Sequence, residues 1–309
     1  MQTIASISSW YANNETLIQE ILIYALLAFS IQVALRSGIF SLAGVGFYAI
    51  GSYAAGLLVK EQAWPTALAV IAAVLLCALL GWALSVLLVR LRDLYLALAT
   101  VAFDLMVGVV ALNWSSLTGG PLGTVGIPIS VTTLTIFITV LGAAAMLALM
   151  QRGTIGRTLV AVREDEQLAR SLSVNVRRYR ELAFVISSML GALAGAYHAL
   201  LFTDIQATDA GFELIVLALT MVVIGGFGSW TGALLGAILL TWIPIELTSI
   251  GQWWDAVYGA MMIVVATFIP GGLISLVTIA GRASRGRARP SLLRRGSAAA
   301  APPASSSGA

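Results

Sequence analysis

Long apolar runs separated by short polar punctuation dominate this chain. Nine of them approach or reach the roughly 20 residues a helix needs to cross hydrocarbon. They fall at 17–35, 39–59, 64–89, 94–112, 129–150, 183–202, 214–227, 228–247 and 256–279. The seventh is short and can be counted with its neighbour as one bent element, so the range is eight to ten. The expected fold is an all-α integral membrane bundle of about nine spans, a transmembrane domain over 17–280. It is preceded by a short segment, 1–16, and followed by a basic tail, 281–309. The end of that tail, 297–309, holds only Ala, Pro, Ser and Gly and is predicted to be disordered, because it cannot bury enough apolar surface to offset its ordering entropy.

One polar stretch breaks the apolar pattern. Over 151–182, Leu159, Val162, Leu168 and Leu172 alternate with charge in a sequence that favours helix. An amphipathic element between membrane spans lies on the lipid surface or docks into a partner's groove. Four acids (Glu164, Asp165, Glu166, Glu181) among its seven arginines weaken the lipid-surface reading.

Composition supports the membrane assignment. Hydrophobic residues make up 59% of the chain and charged residues 10%, with a mean hydropathy of +0.95. Soluble domains carry about a quarter charged residues, so there is too little polar surface here to cover a water-soluble fold. The lone Cys77 excludes a disulfide framework and a Cys-rich metal site. The lone His198 reads as a polar residue near a helix end. No metal or other cofactor is expected. Residues 1–14 contain no Lys or Arg, so the charged start of a cleavable signal peptide is missing and the first run reads as a retained helix.

Charge then gives the bundle a direction. The 151–182 stretch holds Arg152, Arg157, Arg163, Arg170, Arg177, Arg178 and Arg180; the tail holds Arg282, Arg285, Arg287, Arg289, Arg294 and Arg295 without an acid. Basic residues near span ends are retained in the cytoplasm, so both stretches, and the turn at Arg90 and Arg92, are expected there. Asp204, Asp209, Glu213 and Asp255 mark outward linkers. With nine spans these assignments alternate without conflict and leave the N-terminus outside. They also read the pI of about 9.2 as topology rather than nucleic-acid binding.

Candidate chemistry is sparse. A P-loop needs a Lys beside Ser or Thr after a glycine-rich turn; the only Lys here, Lys60, is followed by Glu61. Any ATP that drives this chain must be bound by separate subunits. Small residues form apparent seams: Gly228, Gly232 and Gly236 at a spacing of four, Gly191 and Gly195, and Gly44, Gly46, Gly51 and Gly56 in the second span. Helices in lipid associate through such close approach. The cluster Gly225, Gly226 and Gly228 marks a break between spans, where irregular backbone must be shielded or line a cavity. Asp104 lies mid-span, where a charge costs about 2.5–3.5 kcal/mol on insertion scales. It reads equally as a pathway or gating residue and as an interhelical hydrogen-bonding group. Glu246 lies close enough to a span end to be interfacial.

At this point the chain resembles the LivM-type permeases of branched-chain amino-acid ABC importers. The resemblance rests on 157–175 with Phe184-Val185-Ile186-Ser187 and 191–195, on Met221 to Ser229, on Leu117-Thr118-Gly119-Gly120, on Gly51-Ser52-Tyr53, and on Ile269-Pro270-Gly271-Gly272-Leu273. It runs from about residue 20 to 280 and implies a multi-pass inner-membrane subunit with a cytoplasmic C-terminus. It also implies a second homologous permease, two cytoplasmic ATPase subunits and a periplasmic solute-binding protein. Arg163, Glu164, Ala169, Ser173 and Asn175 then fall in the segment seated on an ATPase. Asp104, Gly44, Ser52, Gly225, Gly226 and Gly228 are the candidates for the translocation path and its gating. Ser173 departs from the family, which usually has Gly there. A secondary transporter of a small polar solute is the alternative, but it would show paired membrane charges or matching broken helices. A membrane enzyme would need clustered acids, His or Cys. Leucine, isoleucine and valine are the default solutes, with other amino acids, amides or urea as alternatives.

Overall fold

The smallest side chains mark the centre of the bundle. Helix Val176–Phe202 carries Ala183, Ser187, Ser188, Gly191, Ala192, Ala194, Gly195, Ala196 and Ala199, all buried. Small residues on several faces let several neighbours approach at once, and this helix packs against Glu15–Arg36, Gly44–Gln62 and Thr66–Leu88. Close approach replaces the hydrophobic effect as the source of helix association in lipid.

The computed structural model describes residues 14–247 apart from 89, 92, 207 and 210, together with Gly259. The expected ninth span, the basic tail, Asp255 and the 269–273 motif lie outside the described residues. In chain order the helices are α1 (Glu15–Arg36), α2 (Gly44–Gln62), α3 (Thr66–Leu88), α4 (Asp93–Asn113) and the single turn α5 (Ser115–Thr118). There follow α6 (Thr133–Arg152), α7 (Thr154–Glu164), α8 (Glu166–Ser171), α9 (Val176–Phe202), α10 (Phe212–Gly225) and α11 (Trp230–Leu247). Two short strands, β1 (Thr124–Val125) and β2 (Asp204–Ile205), pair antiparallel with Thr124 opposite Ile205.

Each of the first eight expected spans is a helix. Five (α1, α3, α4, α6 and α9) are long and apolar enough to cross a membrane. Helix α2 is diluted by glycine, serine and tyrosine. The 14 residues of α10 reach only about 21 Å, short of the roughly 30 Å of hydrocarbon. The apolar windows of α1 and α9 are 72% and 67% buried, against 28% for α3, α4 and α6. The first two are therefore interior, and the other three present Leu75, Leu79, Leu98, Val109, Phe137 and Leu141 outward.

Three of the boundaries that differ from the apolar pattern have a clear local reason. The second helix begins at Gly44 rather than 39, because Gly38 at φ 73° turns the chain out of α1. The sixth begins at Val176 rather than 183, because Asn175 caps it by accepting from the Arg178 amide at 3.2 Å. Arg177, Arg178 and Arg180 thus lie on helix α9 itself, where Arg177 pairs with Glu181 at 2.6 Å. The eighth begins at Trp230, so Gly228 precedes the helix and does not share a face with Gly232 and Gly236. A methyl group at Gly228 would meet nothing within 4 Å.

Two glycine seams bring backbone against backbone among the described residues. Along α2 and α9, a Cβ at Gly191 would lie 2.5 Å from the Gly44 carbonyl oxygen, one at Gly51 2.6 Å from Ala192 Cα, and one at Gly195 2.6 Å from the Tyr48 carbonyl carbon. Along α10 and α11, a Cβ at Gly225 would lie 2.6 Å from the Gly232 carbonyl carbon, and one at Gly236 2.7 Å from that of Met221.

Candidate coupling segment and translocation cleft

The 151–182 stretch folds as two short helices joined at Asp165, whose carboxylate caps α8 by accepting from the Gln167 and Leu168 amides at 2.9 Å. Gly156, Leu159 and Val162 form the buried face of α7, while Arg157, Ala161 and Glu164 face outward. Ala169 is 2% exposed and packs with Val162 and Val176, so it holds the two helices together from inside. The outer surface of α8 instead carries Leu168 and Leu172, 57% and 69% exposed.

Ser173 ends α8 in the left-handed region at φ 62°. Its amide donates to the Arg170 carbonyl at 3.0 Å and the Val174 amide to that of Ala169 at 3.1 Å, the paired bonds of a Schellman turn. Glycine is the favoured residue at such a position, and a side chain there costs roughly 1 kcal/mol. Ser173→Gly is expected to slow amide hydrogen exchange at Val174 about two- to fivefold. Faster exchange in the variant would show that the turn carries no such strain.

This segment touches the glycine break directly. The Arg163 guanidinium lies over the Phe227 ring, 4.4 Å from its centroid, and a Cβ at Gly38 would meet Arg163 Cα and Cβ at 3.2 Å. Phe227 stands in the turn between α10 and α11, just after Gly226 at φ 103°. Two side chains of α1 hold that turn: the Gln32 amide donates to the Phe227 carbonyl at 3.2 Å, and Arg36 donates to the Gly228 carbonyl. The extra basic and amide groups at the end of α1 are thus explained by the unpaired carbonyls of the break, a pairing that sequence reasoning missed. Arg36 was its only signal.

The candidate pathway residues separate into three places. Asp104 is 1% exposed, and its Oδ1 accepts from the Gly46 amide at 2.8 Å in the first turn of α2. One turn earlier on α4, Thr100 Oγ1 accepts from the Leu42 amide at 3.1 Å. Gly44 sits in the α2–α9 seam beside Ser30, whose hydroxyl donates to the Ser187 carbonyl at 2.8 Å. Ser52 lines a cleft no larger than a water molecule at the opposite end from Arg163, together with Tyr48, Tyr53, His198, Gln206 and Asp209. Above that cleft the β1–β2 pair closes the end of the bundle; Lys60 Nζ donates to the Val125 carbonyl at 2.8 Å, and the Thr118 hydroxyl donates to the Ala111 and Trp114 carbonyls.

The described helices thus form an apolar bundle with an amphipathic helix pair packed against the α10–α11 turn. The family model for the "Branched-chain amino acid transport system / permease component" matches residues 14–266, and the chain belongs to that family. It is similar to the high-affinity branched-chain amino acid transport system permease protein LivM of Escherichia coli (strain K12), 28% identical over 291 residues that cover 82% of this chain and 68% of that protein. It is also similar to LivH of the same strain, 32% identical over 151 residues, 47% of this chain and 48% of that protein. The autoinducer 2 import system permease protein LsrC of Klebsiella pneumoniae is 32% identical over 132 residues, 40% of this chain and 38% of that protein. No solved structure matches.

Proposed function

We propose that this chain is the membrane-spanning permease of an ATP-driven importer of branched-chain amino acids in the inner membrane. It pairs with a second, homologous permease, receives solute from a periplasmic binding protein, and is moved by two cytoplasmic ATPases that bind the ATP. The arginine-rich segment faces the cytoplasm, as does the C-terminus, and the ATPase seats on α7 and α8. Leu168 and Leu172 supply exposed apolar contacts there, with Glu164 on the outer face of α7.

The contact that supports this reading best is Arg163 over Phe227. A displacement of α7 by the ATPase reaches the α10–α11 turn through one side chain. That turn, which also accepts hydrogen bonds from Gln32 and Arg36 of α1, is a break in the helix at which packed elements can rock between two arrangements. With Arg163 exposed and Phe227 half-buried, the cation–π contact contributes about 0.5–1 kcal/mol, so Phe227→Ala is expected to cut leucine uptake by the assembled transporter about two- to fivefold. Its ATPase should still associate and turn over. Uptake and ATP hydrolysis are measured in the same proteoliposomes, and undiminished uptake per ATP hydrolysed would count against the route. If the unmodified transporter takes up no branched-chain amino acid, the solute assignment itself falls.

A further inference from the structure

A strap, not a helix, closes the end of the bundle opposite Arg163. After Thr118, which is buried and tied to α4 through the Ala111 carbonyl, the chain meets Lys60 at the end of α2 and pairs with β2. Gly119, Gly120, Gly123 and Gly126 along it all have φ between 60° and 79°, so backbone turns set its path. Leu122 and Val125 are 87% and 62% exposed. The strap is attached to the bundle by the two-residue β1–β2 ladder, by the Ile127 amide on the Thr203 carbonyl at 3.2 Å, and by Lys60 Nζ on the Val125 carbonyl. Ile127 and Ile205 add an apolar plug. A Cβ at Gly56 would lie 2.9 and 2.8 Å from their Cδ1 atoms, so both tips rest in the notch this glycine leaves on α2. A tip against a glycine can withdraw without unlocking a side chain of that helix. Segments with exposed side chains and few attachments open while the rest of a fold stays shut. The cleft beneath, between α2, α4 and α9, holds no more than a water molecule, so no solute enters it while the strap is down.

We propose that the 119–127 strap is the outward gate of the permease, which lifts from β2 and Gly56 while α2 and α9 stay packed. The proposal rests on the transport reading above and deepens it. The strap swings on the glycine turn at 119–120, withdraws Ile127 from the notch and opens the cleft between α2, α4 and α9. This movement involves none of the residues that join Arg163 to the α10–α11 turn. The two ends of the bundle can therefore open in turn, as gated passage requires.

The test pins the strap in place. Val125 and Asp204 are register partners, and residues opposite each other in an antiparallel pair have Cα atoms about 4.5–5.5 Å apart, within reach of a disulfide. Val125→Cys and Asp204→Cys are introduced together in the full chain, whose one native thiol, Cys77, is buried. In the assembled transporter in proteoliposomes, oxidation with copper–phenanthroline is expected to cut L-leucine uptake about tenfold or more. Dithiothreitol should restore it, which also shows that the pair folds, and each single variant should respond to neither reagent. Unchanged uptake by fully cross-linked protein overturns the gate and leaves the transport function standing. Hydrogen exchange reads the movement without transport. The Ile127 amide is expected to exchange about tenfold or more faster than the buried amides of α9, and the cross-link should slow it by a similar factor. Exchange at Ile127 as slow as in α9, or indifferent to the cross-link, also overturns the proposal. If the cysteine pair does not fold, Gly123→Ala tests the closure from the other side. Its Cβ would press on the Ile205 carbonyl oxygen, so Ile127 is expected to exchange about tenfold faster, and unchanged exchange there counts against the gate. Exchange that behaves as expected in a transporter that takes up no leucine removes the transport reading and leaves the moving strap.

Discussion

Gly195→Ala is expected to keep the bundle from closing. The added Cβ would overlap the Tyr48 carbonyl oxygen and lie within 2.6 Å of its carbon and 3.0 Å of its Cα. All three obstacles are backbone, so no rotamer change can relieve them. Helices α2 and α9 would have to separate by about an ångström or more, and that separation also opens the contacts of Gly51 with Ala192 and of Gly191 with Gly44. Overpacking in a well-packed interior costs typically about 1–3 kcal/mol, and a rigid backbone obstacle along the central helix belongs at or above the top of that range. The variant is expected to lose its monodisperse peak on size-exclusion chromatography in detergent, or to unfold at a much lower temperature. Gly142→Ala is the control. Its position on α6 is exposed and a Cβ there meets nothing within 4 Å, so that variant should behave as the unmodified chain. A Gly195→Ala protein with an unchanged thermal midpoint would falsify the seam.

Where helices lie was legible in the sequence, because burial in lipid writes itself as uninterrupted apolar runs. How they begin was not. The starts of α2, α9 and α11 are fixed by Gly38, by the Asn175 cap and by the Gly226 turn, and a hydropathy pattern is blind to all three. The small-residue seams show the same limit. Gly191 and Gly195 lie at a contact, whereas Gly228, equally regular in spacing, lies before its helix. Spacing places residues on a face only once a helix contains them. The 151–182 stretch was recognisable by its charge and amphipathy, but Ala169, expected in the segment seated on an ATPase, is sealed inside by Val162 and Val176. Nothing in the sequence joins Arg163 to Phe227; that pair is brought together by the packing of α7 against the α10–α11 turn.

Asp104→Ala is the second change with a large expected effect, and its comparison with Asp104→Asn decides what the residue is for. The Gly46 amide sits in the first turn of α2, where backbone donors have no partner within their own helix. The residue before that helix, Ala43, has no side chain that could cap it. Asp104 and Thr100, one turn apart on α4, supply the missing acceptors from outside. Removing the carboxyl leaves a buried donor unmet, at about 1–3 kcal/mol, and adds a void beside Phe103. Asp104→Ala is therefore expected to lower both thermal stability and uptake. Asparagine keeps a carbonyl oxygen in the same place and brings no charge into the interior, where no Lys or Arg pairs with Asp104 among the described residues. Asp104→Asn is therefore expected to remain folded and to transport at close to the normal rate. A stable Asp104→Asn protein that no longer transports would reverse the assignment. The carboxyl itself would then serve the passage of solute or the switch between states, because the asparagine variant retains the cap and loses only the acid.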